Sequence, residues 1–202
     1  MNLGEQVAAH ARATYPACDL PHILEVVAYA KDLARRTGAD EETVAIAAYF
    51  HDISRVTMGP KDHNIHSAEM ARHWLVQRGY PTQRVERVVA AIVAHMRPVT
   101  GPERELLSLE SRILYDADKI GRAQGLGLLG ALVQLGQQVP WDELSYTELA
   151  TVIRKGRAAT EEAYRSLYTD AARDLAGPGY RKAIDFCDSL LQAEVFKAHP
   201  GQ

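Results

Sequence analysis

Apolar residues recur at helical spacing through most of the chain. In one stretch after Pro21 they stand three or four positions apart, at Ile23, Val26, Val27, Ala30, Leu33 and Ala34. This period is typical of amphipathic helices. No stretch of useful length alternates apolar and polar residues with the period of a strand, and no internal repeat or low-complexity segment is present. The pattern predicts an all-α protein, a compact multi-helix array with short connections.

Capping and breaking residues set the expected helix ends. Gly38 is a suitable C-terminal stop, and Asp40 is a suitable N-cap for the next helix. The predicted helices cover residues 3–14, 21–38, 40–52, 63–78, 81–95, 103–115, 119–136, 145–170 and 180–197, with a loop at 53–62 and a break at 177–179. A length of 202 residues predicts a single domain over 1–202, with 140–202 forming C-terminal helices packed on the core.

Charge and composition narrow the expected partners. The formal net charge is -3, so there is no basic field to attract a nucleic acid polymer. No run of about 18 apolar residues is present, and we therefore predict no membrane association. The two cysteines, Cys18 and Cys187, cannot form a disulfide framework, which fits a reducing compartment. We predict a cytoplasmic protein, and a homodimer is left open.

Histidine is the unusual feature of the composition. There are eight, and five of them lie between positions 51 and 95. Six polar residues interrupt apolar faces on five predicted helices: His22, His51, Asp52, His66, His95 and Asp118. Each alone can be a hydrogen-bonded core residue or a solvated carboxylate. Together they favour a metal site, because helix bundles build such sites from side chains that project inward from facing helices.

The order and the local contexts of these residues resemble the HD-domain superfamily of metal-dependent phosphohydrolases. The contexts are AAYFHDISR around His51-Asp52, AIVAHM around His95, and ILYDADKIGRAQGLGLLG around Asp118. The last is similar to a segment of a small bacterial HD hydrolase subfamily. The resemblance runs from about His22 to Gly130. The chain departs from the family at Ser54, where a Gly usually follows His-Asp-Ile.

The resemblance implies a ligand set. His22, His51, Asp52 and Asp118 match the ligands of one divalent metal ion, and Asp116 matches an acid that orients a ligand. His66 and His95 match the extra ligands of binuclear branches, so we expect one or two ions per chain. Imidazole and carboxylate suit Mn, Fe, Co, Ni, Zn or Mg.

His63 lies one helical turn before His66, and either could face the site. We predict His66, because its distance from Asp52 and the small residues that follow it, Ser67 and Ala68, fit the family better.

The reaction that the resemblance implies is hydrolysis of a phosphate ester or anhydride of a small phosphorylated molecule by metal-activated water. A nucleotide is expected as substrate by family analogy. The expected catalytic residues are Asp52, Arg55 and His95. Basic residues that would bind the phosphates are Arg55, Lys61, Lys119 and Arg122.

Two other functions stay open. One HD branch is a mixed-valent diiron oxygenase with the same six-ligand set and with a Tyr and a Glu upstream of the first His. Here Tyr15 precedes His22, but residues 12–20 contain no Glu. The other is a non-catalytic HD-like signalling or binding module. Modules of that kind usually lose ligands, whereas every expected ligand is present in this chain.

Overall fold

The structure is a computed structural model that describes residues 2–96, 98–99, 101–140, 143 and 145–193. No strand occurs in these residues, so the prediction of an all-α fold is confirmed. The α-helices are α1 (Leu3–Thr14), α2 (Leu20–Thr37), α3 (Glu41–Phe50), α4 (Arg55–Met58), α5 (His63–Val76), α6 (Thr82–Ala94), α7 (Leu109–Ala123), α8 (Leu126–Gln138), α9 (Tyr146–Ser166) and α10 (Asp170–Leu191), and Gly101–Leu106 forms a 3-10 helix.

The turn between α2 and α3 has the expected chemistry. Gly38 ends α2 with a φ of 78°, a left-handed conformation that glycine adopts without a steric penalty. The side chain of Asp40 then accepts hydrogen bonds from the backbone of Glu42 at 3.1 Å and of Thr43 at 3.2 Å. These bonds satisfy two of the N–H groups at the start of α3. The helix is therefore fixed at its beginning, and its other end carries His51.

Chain contacts cluster into two compact units, residues 1–118 and 119–202. In the first unit α3 packs against α1, α2, α5 and α6. Nearly all of its side chains are buried, from Thr43 to Phe50 with the exception of Tyr49. A short helix with so many buried residues lies at the centre of its unit. The residues that follow its last turn, His51 and Asp52, therefore start inside the core.

In the second unit α9 packs against α8 and α10. Leu128, Ile153 and Cys187 form its apolar cluster. Gly156 allows α8 and α9 to approach closely, because a Cβ at this position would lie 2.4 Å from Cδ1 of Leu128. The expected single domain, with residues 140–202 packed on the core, stays a prediction.

Several predicted boundaries differ from the structure. α4 lies within the expected loop 53–62, and α7 runs on to Ala123 past the expected end at 115. The expected break at Gly177-Pro178-Gly179 is wrong, because α10 continues through Pro178. A Cβ at Gly179 would lie 2.7 Å from Cγ of Gln124. Glycine at this position therefore allows close packing and does not end the helix.

Among the described helices, none has both the length and the apolar character that crossing a membrane requires.

Candidate metal centre

The end of α3 brings an imidazole and a carboxylate into the core of the first unit. His51 is completely buried, and Asp52 is 7% exposed. Nδ1 of His51 lies 2.8 Å from the carbonyl oxygen of Ala48 and donates to it, since a carbonyl only accepts. The lone pair is then on Nε2. No group in the described part of the chain hydrogen-bonds to this buried atom, and a metal ion is a ligand that would satisfy it.

His51 belongs to a first ligand group, together with His22 and Asp118. Oδ1 of Asp118 lies 3.2 Å from Nε2 of His22 and 3.7 Å from Nε2 of His51. The hydrogen bond with Asp118 raises the pKa of His22 above its usual value. Burial lowers the pKa of His51 to about 4. His51 is therefore neutral near pH 7, the form in which imidazole binds a metal ion.

A second ligand group consists of Asp52, His63 and His95. Oδ1 of Asp52 lies 3.1 Å from Nε2 of His63 and 3.8 Å from Nε2 of His95. Nδ1 of His63 donates to the carbonyl of Pro60 at 2.9 Å, and Nδ1 of His95 donates to that of Ile92 at 2.5 Å. Both rings are thus held by the backbone with Nε2 toward Asp52, an arrangement common around metal-binding histidines.

The two groups are neighbours in one site. Oδ2 of Asp52 lies 3.9 Å from Nε2 of His51, so this carboxylate faces both groups. The imidazole rings also touch edge to face: ring centroids are 5.6 Å apart for His22 and His51, 5.2 Å for His51 and His95, and 5.4 Å for His63 and His95. Four imidazoles and two carboxylates therefore converge, a donor set that suits one or two first-row divalent ions.

The predicted preference for His66 over His63 differs from the ligand groups that the structure brings together. His63 lies against Asp52, whereas His66 belongs to neither ligand group. The residue before α5, Asp62, has a left-handed conformation with a φ of 51°, and His63 follows it directly. The histidines were recognisable in the sequence as two residues one turn apart, but this backbone conformation was not.

Arg55 adds a positive charge beside the second ligand group. Its Nη1 donates to Oδ2 of Asp52 at 2.9 Å, while 57% of its side chain is exposed. Burial alone raises the pKa of Asp52. The neighbouring imidazoles of His95 and His51 and the hydrogen bond from Arg55 outweigh it and hold that pKa well below its usual range. Asp52 is therefore ionised, as a metal ligand must be.

Four other residues were predicted to serve this site: Lys61, Lys119, Arg122 and Asp116. Lys61 is exposed in the loop before α5. Lys119 and Arg122 lie on α7, after the boundary between the two units at Asp118. Asp116 is fully buried on the same helix. Phosphate binding by the three cations and the orienting role of Asp116 stay predictions.

Comparison with known families gives one match that covers the site. The HD domain family model matches residues 20–123. This range contains all six residues of the two ligand groups. No curated protein matches the chain.

Solved structures share the fold. A predicted HD superfamily hydrolase from an uncultured Thermotogales bacterium is 24% identical, with 93% of this chain and 90% of that chain covered and a TM-score of 0.60. An HD-superfamily hydrolase from Bacillus thuringiensis is 15% identical, with 94% and 95% covered and a TM-score of 0.71. YpgQ from Bacillus subtilis, in complex with ADP, is 21% identical, with 98% and 95% covered and a TM-score of 0.65.

Proposed function

Because the chain belongs to the HD domain family, we propose that it is a metal-dependent phosphohydrolase that cleaves a phosphate ester or anhydride of a small molecule. The observation that carries the proposal is the pair of ligand groups joined at Asp52. Two groups separated by one shared carboxylate are the arrangement that two-metal hydrolytic sites use. We propose that each ligand group binds one ion, so that fully loaded protein holds two ions per chain and partly loaded protein holds one.

His22, His51 and Asp118 would hold one ion, and Asp52, His63 and His95 would hold the other. A bound divalent ion lowers the pKa of coordinated water and neutralises phosphoryl oxygens. The chain itself supplies the ligand orientation. The Nδ1 hydrogen bonds of His51, His63 and His95 to backbone carbonyls orient each ring, so that Nε2 is the atom that would bind the ion.

Arg55 is proposed to bind the phosphate. Its guanidinium is held beside Asp52 through Nη1, and more than half of its side chain is exposed. A guanidinium offers paired N–H groups that match two phosphoryl oxygens. His22 is also 40% exposed, so the site opens on the side where a substrate would enter. Lys61, Lys119 and Arg122 are proposed as further phosphate contacts.

A nucleotide is proposed as the substrate. The support is the structure of YpgQ in complex with ADP, a protein with the same fold. In the same proposal His95 acts as a ligand when two ions bind. When a single ion is bound, it would donate a hydrogen bond to the phosphate instead.

A phosphatase screen tests the proposal. Protein loaded with Mn²⁺ or Co²⁺ should release phosphate from at least one nucleotide. Asp52→Ala should bind no metal and release none, because it removes the carboxylate that both groups share. Asp32→Ala is the matched control, since Asp32 pairs with arginines at the surface of α2. Metal-loaded wild type that hydrolyses no phosphorylated compound, or unchanged metal in folded Asp52→Ala, would contradict the proposal.

A further inference from the structure

The residue just before His63 has an unusual backbone conformation. Asp62 has a φ of 51°, the only positive φ of a non-glycine residue in the described ranges. Such a conformation persists when surrounding contacts hold it. His63 follows Asp62 directly and begins α5. Its position against Asp52 therefore needs an anchor outside the loop.

Two buried serines supply that anchor. The hydroxyl of Ser54 lies 2.8 Å from the carbonyl oxygen of His63. The backbone N–H of Ser54 donates to Oγ of Ser67 at 3.1 Å, and the two hydroxyls are 3.0 Å apart. Both serines are fully buried. Ser54 stands two residues after Asp52 in the chain, so these bonds connect the end of the α3 segment to the first turn of α5.

The hydrogen-bond directions are determined by the carbonyl. It can only accept, so the single hydroxyl proton of Ser54 goes to His63. The hydroxyl proton of Ser67 then goes to Oγ of Ser54, while Oγ of Ser67 accepts the N–H of Ser54. Each donor of the pair is used. Ser54 itself has an ordinary helical conformation, with φ -77° and ψ -23°, and its side chain is what the site needs here.

We propose that Ser54 and Ser67 are positioning residues that hold His63 against Asp52 and thereby complete the second ligand group. The inference rests on the proposed function for the identity of the ligand. The position of His63 can nevertheless be measured without metal. His51 and His95 are held by carbonyls of their own helices, Ala48 and Ile92, and do not depend on the serine pair.

The first experiment uses metal-free protein and histidine side-chain ¹⁵N NMR at one fixed pH. In the wild type, the rings of His51, His63 and His95 should each give a single set of ¹⁵N signals. In Ser54→Ala, only the His63 signals should shift or broaden, because its ring is no longer held between the carbonyl of Pro60 and Asp52. Ser111→Ala is the matched control, because Ser111 is another buried serine with a hydroxyl partner, Ser108, at 3.0 Å. An unchanged His63 signal in folded Ser54→Ala overturns the inference.

The second experiment measures the affinity of each metal-binding step. Cobalt titration followed by absorption should show the weaker binding step reduced about 10-fold or more in Ser54→Ala, the usual cost of losing a group that orients a ligand. The tighter step should stay within about twofold, and Ser111→Ala should match the wild type. Equal loss at both steps, or at neither, overturns the inference. If Ser54→Ala does not fold, Ser67→Ala is measured in its place with the same expectations. Wild type that binds no cobalt defeats the proposed function, and the NMR result then decides the role of the serines.

Discussion

His22 and His51 contact the same carboxylate, Asp118, but their pKa values move in opposite directions. His51 is fully buried, and burial lowers its pKa to about 4. His22 is partly exposed, and its hydrogen bond with Asp118 raises its pKa. His51 is thus neutral near pH 7, while His22 holds its proton more tightly than a free imidazole does, and a metal ion must compete with that proton.

This difference predicts how metal affinity depends on pH. The proton on His22 is stabilised in the metal-free protein, so binding competes with it, and affinity should rise as pH increases from about 6 to about 8. Cobalt affinity measured across this range should fall toward acid. In His22→Gln the remaining dependence should be shallower, because this proton no longer competes. A wild-type affinity that does not change with pH, or that has the slope of the variant, would contradict the assignment.

Arg55 donates a hydrogen bond to Asp52 and is proposed to bind the phosphate as well. Arg55→Ala should raise KM or lower turnover by about 10-fold or more, since a charge-assisted hydrogen bond contributes about 1.5–3 kcal/mol. Bound metal, measured by elemental analysis, should be unchanged. Arg36→Ala, which removes an arginine paired with Asp32 on the surface of α2, is the control. Wild-type kinetics in Arg55→Ala would show that Arg55 does not bind the phosphate.

At the scale of elements, the apolar period and the caps were sufficient to predict most helices. Asp40 and Gly38 stand where the sequence placed them, and the end of α3 delivers His51 and Asp52 as expected. Contacts between distant residues were out of reach. Gly179 packs against Gln124. The sequence predicted that this glycine breaks the helix, but it lies inside α10.

The difference between His63 and His66 has a similar origin. Helical spacing could not choose between them, because both lie within a single turn of α5. In the structure His63 follows the left-handed Asp62, and its carbonyl accepts from the hydroxyl of Ser54, which lies nine residues earlier in the chain. Neither has a signature in the periodicity.

The cap of α3 has a measurable contribution to stability. Asp40→Ala should lower the free energy of unfolding by about 1 kcal/mol, the usual cost of losing an N-cap side chain. Asp40→Asn should retain most of this stability, because an amide oxygen still accepts from Thr43, although its ion pairs with Arg84 and Arg87 are lost. Urea unfolding at neutral pH measures both. Equal loss in the two variants would mean that the ion pairs, and not the cap, stabilise the helix.

The pKa of Asp40 gives the same cap a pH dependence. Burial raises this pKa, but the hydrogen bonds from Thr43 and the charges of Arg84 and Arg87 lower it by more than burial raises it. The pKa of Asp40 in the folded protein therefore lies below its value in the unfolded chain. A depressed carboxyl pKa stabilises the fold above the unfolded value, and the stabilisation disappears as pH falls through the folded value. The difference in unfolding free energy between wild type and Asp40→Ala should therefore shrink below about pH 4. A constant difference down to pH 2 would contradict it.

At the scale of the whole molecule, α7 runs without interruption from residue 109 to 123, across the boundary between the two units. We therefore keep the prediction of a single domain, and we expect one cooperative unfolding transition. Trp141→Phe leaves Trp74 of the first unit as the sole tryptophan. Its fluorescence and the far-UV circular dichroism of the whole chain should give the same midpoint. Two separated midpoints would show two domains. Cytoplasmic location and a homodimer likewise stay predictions.

The central claim is that the two ligand groups hold metal, and His63 and His66 offer the most direct test of it. They lie one turn apart on α5, but His63 alone of the two contacts Asp52. Metal is counted by elemental analysis after anaerobic loading with iron or manganese, on wild type, His63→Ala and His66→Ala. We expect two ions per chain in the wild type, about half as many in His63→Ala, and the wild-type number in His66→Ala. Wild type without bound metal, or the same loss in both variants, would contradict it.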